Sequence, residues 1–152
     1  MKFLDIPTQD KLVHKKIFKD IHAVVSKSDF ILGDKVQEFE KKFSNFCGVN
    51  YGIGCANGTD AIILALESLN LPKNSEVILP AMTWCSTLFA VIKANLKPVL
   101  VDIKKNNPTI CTNDLKKKIT KKTSAIIIVH LYGECCDTVE IKKIIKNKKI
   151  YL

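Results

Sequence analysis

The first part of the chain carries apolar residues at helical spacing. One helical face collects Leu12, Val13, Ile17, Ile21 and Val24, and another collects Val36, Phe39, Phe43 and Phe46. Gly48 follows the second set, and a glycine at this place commonly ends a helix in the left-handed conformation. The pattern therefore predicts two amphipathic helices ahead of residue 49.

From residue 49 onward, short apolar runs alternate with helical patterns. The predicted strands are 49–56, 76–80, 98–103, 124–130 and 149–152, and the predicted helices are 59–70, 84–95, 112–119 and 137–147. Asn-Asn-Pro at 106–108 predicts a turn. A βαβαβαβαβ order predicts a three-layer α/β fold, with a largely parallel sheet covered by helices on both faces. We expect an N-terminal helical segment over 1–48 and an α/β domain over 49–152.

The stretch VNYGIGCANGTDAIILALESL, residues 49–69, holds three glycines and then becomes apolar. A dinucleotide-binding loop would need Gly-x-Gly-x-x-Gly and an acidic residue after the next strand. Here the third glycine, Gly58, comes one residue late, and no carboxylate ends the strand EVILP. A hairpin at Asn57-Gly58 is disfavoured as well, because the apolar residues that follow have helical rather than alternating period.

Two interpretations of this stretch stay open. In the first, Asn57 or Thr59 caps an ordinary helix, and Asp60 complements the positive end of the helix dipole. In the second, the start of the helix is a cradle for a monophosphate. Gly58 would let the backbone approach the phosphate closely, while the N–H groups of Thr59 and Asp60 and the Thr59 hydroxyl would donate to it.

Composition narrows the class of protein. With 152 residues and 47% hydrophobic content, the chain is long and apolar enough for one globular domain. Its apolar runs are shorter than the roughly 20 residues that span a bilayer, and its first residues lack the order of a signal peptide. We therefore expect a cytoplasmic protein with no membrane contact.

Cysteine spacing and charge exclude further classes. The six cysteines contain no Cys-x-x-Cys pair, so neither a disulfide framework nor a metal site is expected. The net charge is +9, but all 24 basic residues are lysine, which lacks the bidentate fork with which arginine reads guanine. We therefore expect no nucleic-acid partner.

Four blocks of the sequence resemble a known family when taken in order. They are FILGDKVQEFEKKFSNFCGV, CANGTDAIILALESL, EVILPAMTWCSTLFAVIKANLKPVLVDI and TSAIIIVHLYGE. Together they resemble the DegT/DnrJ/EryC1/StrS family of pyridoxal-phosphate-dependent sugar aminotransferases, which have the aspartate aminotransferase fold. The resemblance implies that residues 49–152 are an incomplete large domain of a fold type I transferase. It also implies pyridoxal 5'-phosphate (PLP) as cofactor and a homodimer for the intact enzyme.

The resemblance assigns cofactor contacts to matching positions. It implies that the loop of Gly58, Thr59 and Asp60 holds the cofactor phosphate. It also implies that Trp84 stacks on the pyridine ring, since a flat aromatic over a cationic heterocycle is favourable. The alternative role for Trp84, the only tryptophan, is to fill the core. His130, which ends a predicted strand in HLYG, is the remaining cofactor-binding candidate.

Two more positions match segments of the family near the active site. Tyr132 follows His130 closely, and its alternative role is to anchor the loop. Gly33, in ILGDKV, is by itself an ordinary turn glycine. The adjacent Cys135 and Cys136 receive no role.

The resemblance also implies a reaction and its partners. The family transfers an amino group from a donor such as glutamate to a nucleotide-linked keto sugar, for surface polysaccharide or amino-sugar biosynthesis. Some relatives replace the lysine that binds the cofactor with histidine and instead remove a sugar hydroxyl by dehydration.

The lysine that binds the cofactor and the carboxylate beside the pyridine nitrogen belong to segments that follow KKIYL, so we assign no catalytic residue. We expect the 152 residues alone to be inactive, as a gene fragment, an incomplete sequence or a pseudogene product would be. An alternative from another class is a noncatalytic module that binds a phosphate ligand or a partner and has kept only the fold.

Overall fold

The structure, a computed structural model, describes residue 11 and residues 13–152, which divide into two units between Gly54 and Cys55. The opening segment 1–10 and the predicted helical position Leu12 lie outside the described residues. Each unit is built from the elements that the apolar pattern predicts, with the exceptions given below.

The first unit contains two amphipathic helices. Helix α1 spans His14–Lys27 and ends at Ser28, whose φ is 54°, and helix α2 spans Asp34–Cys47. Gly48 follows α2 with φ 66°, so the predicted left-handed helix end is confirmed.

Exposed ion pairs connect the surfaces of these two helices. Lys35 on α2 lies 3.0 Å from the carboxylate of Asp20 on α1. The ammonium groups of Lys42 and Lys35 hold the pKa of Glu38 down to about 2. These charges are solvated, so they orient the helix surfaces and add little to stability.

The predicted strand 49–56 is wrong. This segment is irregular, and a strand needs a neighbouring backbone to pair with. The N–H of Gly54 instead donates to the side chain of Glu40 on α2, at 2.6 Å. A Cβ on Gly52 would lie 2.7 Å from the Glu40 carbonyl oxygen. Gly52 is therefore required by the close approach of the α2 backbone, whereas a Cβ on Gly54 would only lie tightly against the side chains of Glu40 and Val36, at 3.2 and 3.3 Å. Both glycines have this explanation without a nucleotide.

The second unit is built on a parallel sheet of three strands, in which β1 spans Glu76–Pro80, β2 spans Lys97–Val101 and β5 spans Thr123–Ile126. Their order in the sheet is β2-β1-β5. In the central strand, Ile78 pairs with Val99 of β2 and with Ile126 of β5. The predicted strand 149–152 is reduced to one parallel bridge between Tyr151 and Ala125.

Four helices cover the two faces of this sheet. They are α3 (Gly58–Ser68), α4 (Cys85–Lys93), α5 (Thr112–Lys118) and α6 (Thr138–Ile145). Because side chains alternate along a strand, Val77 and Leu79 pack with α3 and α4, whereas Ile78 packs with α5 and α6. All five residues of β1 are buried. The predicted three-layer α/β fold with a parallel sheet is confirmed.

A short hairpin follows β2 and was not predicted. Strand β3 (Ile103–Lys104) pairs antiparallel with β4 (Asn107–Ile110), so the predicted turn at 106–108 lies partly inside a strand. Pro108 is tolerated there because this two-stranded sheet has only edge strands. The side-chain oxygen of Asn107 accepts a hydrogen bond from the N–H of Thr109 at 2.9 Å, which stabilises the bend.

Candidate functional site

The carboxyl ends of the parallel strands bring three predicted segments to one edge of the sheet. Trp84 follows the end of β1. His130 lies four residues beyond the end of the neighbouring strand β5, because the predicted strand 124–130 stops at Ile126. The first turn of α3 lies at the same edge, because α3 packs on the sheet and its last turn leads through residues 69–75 to the start of β1. A groove of about 550 Å³ runs along α3 and β5. Parallel α/β sheets commonly bind ligands at this edge.

The start of α3 is capped by its own side chains. Asn57 has extended backbone, and its side-chain oxygen accepts a hydrogen bond from the N–H of Asp60 at 3.0 Å. The Asn57 amide donates to the carboxylate of Asp60, also at 3.0 Å. The N–H of Asp60, one of the predicted phosphate donors, is therefore already paired. Within the described residues, the N–H groups of Gly58 and Thr59 have no such partner.

Gly58 lies at a position where nothing within the second unit requires a glycine. A Cβ added to it would have no atom within 4 Å, and its φ lies outside the left-handed region. Neither packing nor backbone conformation therefore explains the missing side chain. The open space above Gly58, next to two unpaired N–H groups at a helix N-terminus, fits a phosphate that approaches the backbone closely.

Trp84 presents its ring to the outside of the unit. Its side chain is 75% exposed, so it does not fill the core. It immediately precedes α4 with extended backbone, and the hydroxyls of Thr83 and Thr87 lie 2.9 Å apart beside it. A large flat ring held at the start of a helix is available to stack on a planar ligand.

His130 is exposed, and one of its ring nitrogens is engaged by the backbone. The N–H of Cys136 donates to Nδ1 of His130 at 3.0 Å. Tyr132 is 85% exposed and has φ 56°, so it does not anchor this loop by packing. Cys136, only 6% exposed, is the residue that closes the loop, and no motif in the sequence pointed to it. The only sign of Cys136 in the sequence was that a small residue stands in a segment expected to be part of the core.

Gly33 has a local structural explanation within the first unit. A Cβ at this position would lie 2.2 Å from the carboxylate of Asp29. That carboxylate accepts a hydrogen bond from the N–H of Asp34 at 2.8 Å, at the first residue of α2. Gly33 thus leaves room for the Asp29 side chain that caps α2, which is a local structural explanation for the glycine.

The opposite edge of the sheet holds a buried carboxylate. Glu76, 7% exposed at the start of β1, accepts a hydrogen bond from the hydroxyl of Thr120 and lies 3.3 Å from Nζ of Lys97. The Thr120 hydroxyl first, and then the Lys97 ammonium, hold the pKa of Glu76 below its usual range. These interactions join the first residues of β1 and β2 to the loop before β5. Glu76 therefore has a structural role.

Residue 11 and residues 13–152 contain neither a metal-binding cluster nor a membrane-spanning helix. Among these residues, no group of three His, Cys, Asp or Glu side chains lies close enough together to hold a metal ion. None of the helices in this part of the chain has the length and apolar character needed to cross a bilayer.

Comparisons with known proteins agree on one family. Residues 11–152 match the sequence model of the DegT/DnrJ/EryC1/StrS aminotransferase family. The dTDP-3-amino-3,6-dideoxy-alpha-D-galactopyranose transaminase of Aneurinibacillus thermoaerophilus is 37% identical over 145 residues, which are 95% of this chain and 40% of that protein.

Solved structures agree with the sequence match. A DegT DnrJ EryC1 StrS aminotransferase from Brucella abortus gives a TM-score of 0.86 at 28% identity, over 99% of this chain and 42% of that one. An E. coli GDP-4-keto-6-deoxy-D-mannose-3-dehydratase with bound hydrated PLP gives 0.81 at 31% identity, over 88% of this chain and 36% of that one. The chain therefore spans about two fifths of the length of these relatives.

Proposed function

The chain belongs to the DegT/DnrJ/EryC1/StrS aminotransferase family, and from this membership we propose that it is part of a PLP-dependent sugar aminotransferase. The enzyme would transfer an amino group from a donor such as glutamate to a nucleotide-linked keto sugar, for surface polysaccharide or amino-sugar biosynthesis. The family and the fold predicted from the four sequence blocks are confirmed. Cytoplasmic location, the homodimer and the division into residues 1–48 and 49–152 stay predictions.

The observation that carries this proposal is the open backbone at Gly58. A phosphate placed there would accept hydrogen bonds from the N–H groups of Gly58 and Thr59 and from the Thr59 hydroxyl. The positive end of the α3 dipole would also attract the phosphate, because the phosphate's negative charge would lie at the N-terminus of this helix. Asp60 would support the phosphate site indirectly. Its N–H and its carboxylate are both hydrogen-bonded to Asn57, and these bonds stabilise the first turn of α3.

The other two candidates would position the rest of the cofactor. The exposed ring of Trp84 would pack against the face of the pyridine ring, and His130 would contact the cofactor from the loop after β5. When bound, PLP supplies the electron sink that stabilises the carbanion formed during amino-group transfer. The residues of this chain bind the phosphate and orient the ring. We assign no catalytic residue among them.

A comparison of PLP with pyridoxal, which lacks the phosphate, tests this proposal. Calorimetric titration of the protein should give saturable binding of PLP, competition by inorganic phosphate and much weaker binding of pyridoxal. Equal affinities for PLP and pyridoxal would contradict a phosphate cradle. Phosphate binding without any preference for PLP would favour the noncatalytic module.

The dehydratase alternative, which the family resemblance implies, is supported by matched structures whose names state that activity. The product that the whole enzyme forms would distinguish a dehydratase from an aminotransferase. Transfer of nitrogen from glutamate to the keto sugar supports the aminotransferase. A deoxygenated sugar that contains no added nitrogen supports the dehydratase.

A further inference from the structure

The loop between β5 and α6 is closed by a single residue, Cys136. Its backbone N–H donates to Nδ1 of His130 at 3.0 Å, and its thiol donates to the carbonyl oxygen of Val129 at 3.3 Å. Inside the loop, the N–H of Gly133 donates to the His130 carbonyl. Three hydrogen bonds therefore hold the backbone and the ring of His130 in one arrangement.

This arrangement decides which nitrogen of the imidazole carries the proton. A backbone N–H is a donor only, so the nitrogen that faces it must present a lone pair. In the neutral ring the proton then lies on the other nitrogen, Nε2. We infer that Cys136 is a positioning residue that fixes His130 as the Nε2–H tautomer, so that the imidazole offers the ligand a hydrogen-bond donor and does not act as a general base.

The surroundings explain why a cysteine serves here. Cys136 is buried in the apolar cluster that includes Ile110 and Ile141, where a small side chain with a weak S–H donor is well suited. Its neighbour Cys135 is exposed, and its sulfur lies 3.9 Å from the nearest acceptor, the carbonyl of Gly133. Cys135 is therefore a matched control for substitutions at Cys136.

The ligand part of this inference rests on the proposed function. At the carboxyl edge of the sheet, a fixed Nε2–H would donate to an acceptor atom of the bound cofactor. A ring whose Nδ1 is already occupied has no free lone pair with which to take a proton. His130 would thus contribute binding and orientation, while proton transfer falls to another group.

Long-range proton–nitrogen NMR correlation on histidine labelled with nitrogen-15 reads the tautomer directly and needs no cofactor. We expect a pyridine-type Nδ1 and a pyrrole-type Nε2 for His130, assigned by the signals that disappear in His130→Asn. Cys136→Pro, which lacks the backbone N–H that faces Nδ1, should move both shifts toward the average of the two tautomers, whereas Cys135→Pro should leave them unchanged. A predominant Nδ1–H tautomer in the unmodified protein, or equal effects of the two proline substitutions, would overturn the inference.

A second measurement separates the structural role of the ring from its donor role. In His130→Asn an amide oxygen takes the place of Nδ1, so the Cys136 N–H keeps its acceptor but the distal donor is lost. We expect the Cys136 amide to stay protected from hydrogen exchange while PLP affinity falls about five-fold, the effect of one hydrogen bond. Unchanged PLP affinity in His130→Asn would overturn the donor role. If the unmodified protein binds no PLP, the proposed function fails, and the NMR result still decides the tautomer.

Discussion

The side-chain oxygen of Asn57 accepts a hydrogen bond from the backbone N–H of Asp60 at 3.0 Å, while the Asn57 amide holds the Asp60 carboxylate at the same distance. This reciprocal pairing caps α3 without using the N–H groups of Gly58 and Thr59. It also binds a negative side chain that would otherwise be free to approach an incoming phosphate. One residue thus stabilises the helix start and leaves two donors for the ligand.

Replacing Asn57 tests the cap. Asn57→Ala should lower the free energy of unfolding by about 1 kcal/mol, because it removes the acceptor for the Asp60 N–H. Asn57→Ser keeps an accepting oxygen and should lose much less stability. Denaturant unfolding monitored by circular dichroism measures both, and equal losses in the two variants would contradict the assigned role of the side-chain oxygen.

Replacing Trp84 should affect ligand binding far more than folding. The ring is 75% exposed, so Trp84→Ala removes little buried surface. Stacking of an aromatic on a cationic ring contributes about 1 kcal/mol, which predicts a roughly five-fold weaker affinity for PLP. Trp84→Phe keeps an aromatic ring and should retain most of the affinity for PLP. A large loss of stability in Trp84→Ala, with PLP affinity unchanged, would mean that the ring has a structural role instead.

The buried carboxylate of Glu76 predicts how stability depends on pH. Its pKa in the folded protein is held below the usual range, chiefly by the Thr120 hydroxyl and then by Lys97. Its contribution is therefore fully present above the unfolded-state pKa of about 4.3, and it is lost as pH falls through the lowered pKa of the folded state. Urea unfolding measured from neutral to acid pH should show stability decreasing below about pH 4.3.

Thr120→Val provides the matched variant for this pH dependence. It removes the hydroxyl that donates to Glu76 and should cost about 1 kcal/mol at neutral pH. The variant should also lose less stability on acidification, because the pKa of Glu76 then lies closer to its unfolded value. An acid dependence identical to that of the unmodified protein would show that another group is responsible.

Reduction with borohydride in the presence of PLP tests whether any lysine of this chain is the covalent cofactor ligand. The resemblance places no lysine of the 24 at the matching position. We therefore expect slow, scattered labelling of exposed lysines and no transaminase turnover. Peptide mapping by mass spectrometry that finds one stoichiometric lysine adduct, together with turnover, would contradict this expectation.

The elements that bury continuous apolar runs could be predicted from the sequence. The bounds of β1 agree with the prediction because all five of its residues are buried, and the helices that cover it carry clear periodicity. The segment 49–56 has a similar apolar character but lacks a paired neighbour, and pairing is not visible in a local pattern. The β3–β4 hairpin was missed because Asn107 and Pro108 are typical of turns.

The candidate site could be predicted only in part for a related reason. Residue types indicated a helix start with donors at Thr59 and Asp60, but only the three-dimensional structure reveals that Asn57 already occupies the N–H of Asp60. The exposure of Trp84 and the loop closure by Cys136 depend on tertiary packing. Neither leaves a periodic signal in the sequence.

The most direct test of the phosphate cradle is one variant measured in two ways. Gly58→Ala should leave the unfolding free energy unchanged or raise it by up to about 1 kcal/mol, because alanine favours a helix and the added Cβ has open space. The same Cβ would occupy the place of the phosphate, so PLP affinity should fall at least roughly ten-fold, about 1.4 kcal/mol. Ser68→Ala, at the other end of α3, should leave PLP affinity unchanged. If Gly58→Ala bound PLP as tightly as the unmodified protein while remaining folded, the phosphate could not lie at Gly58.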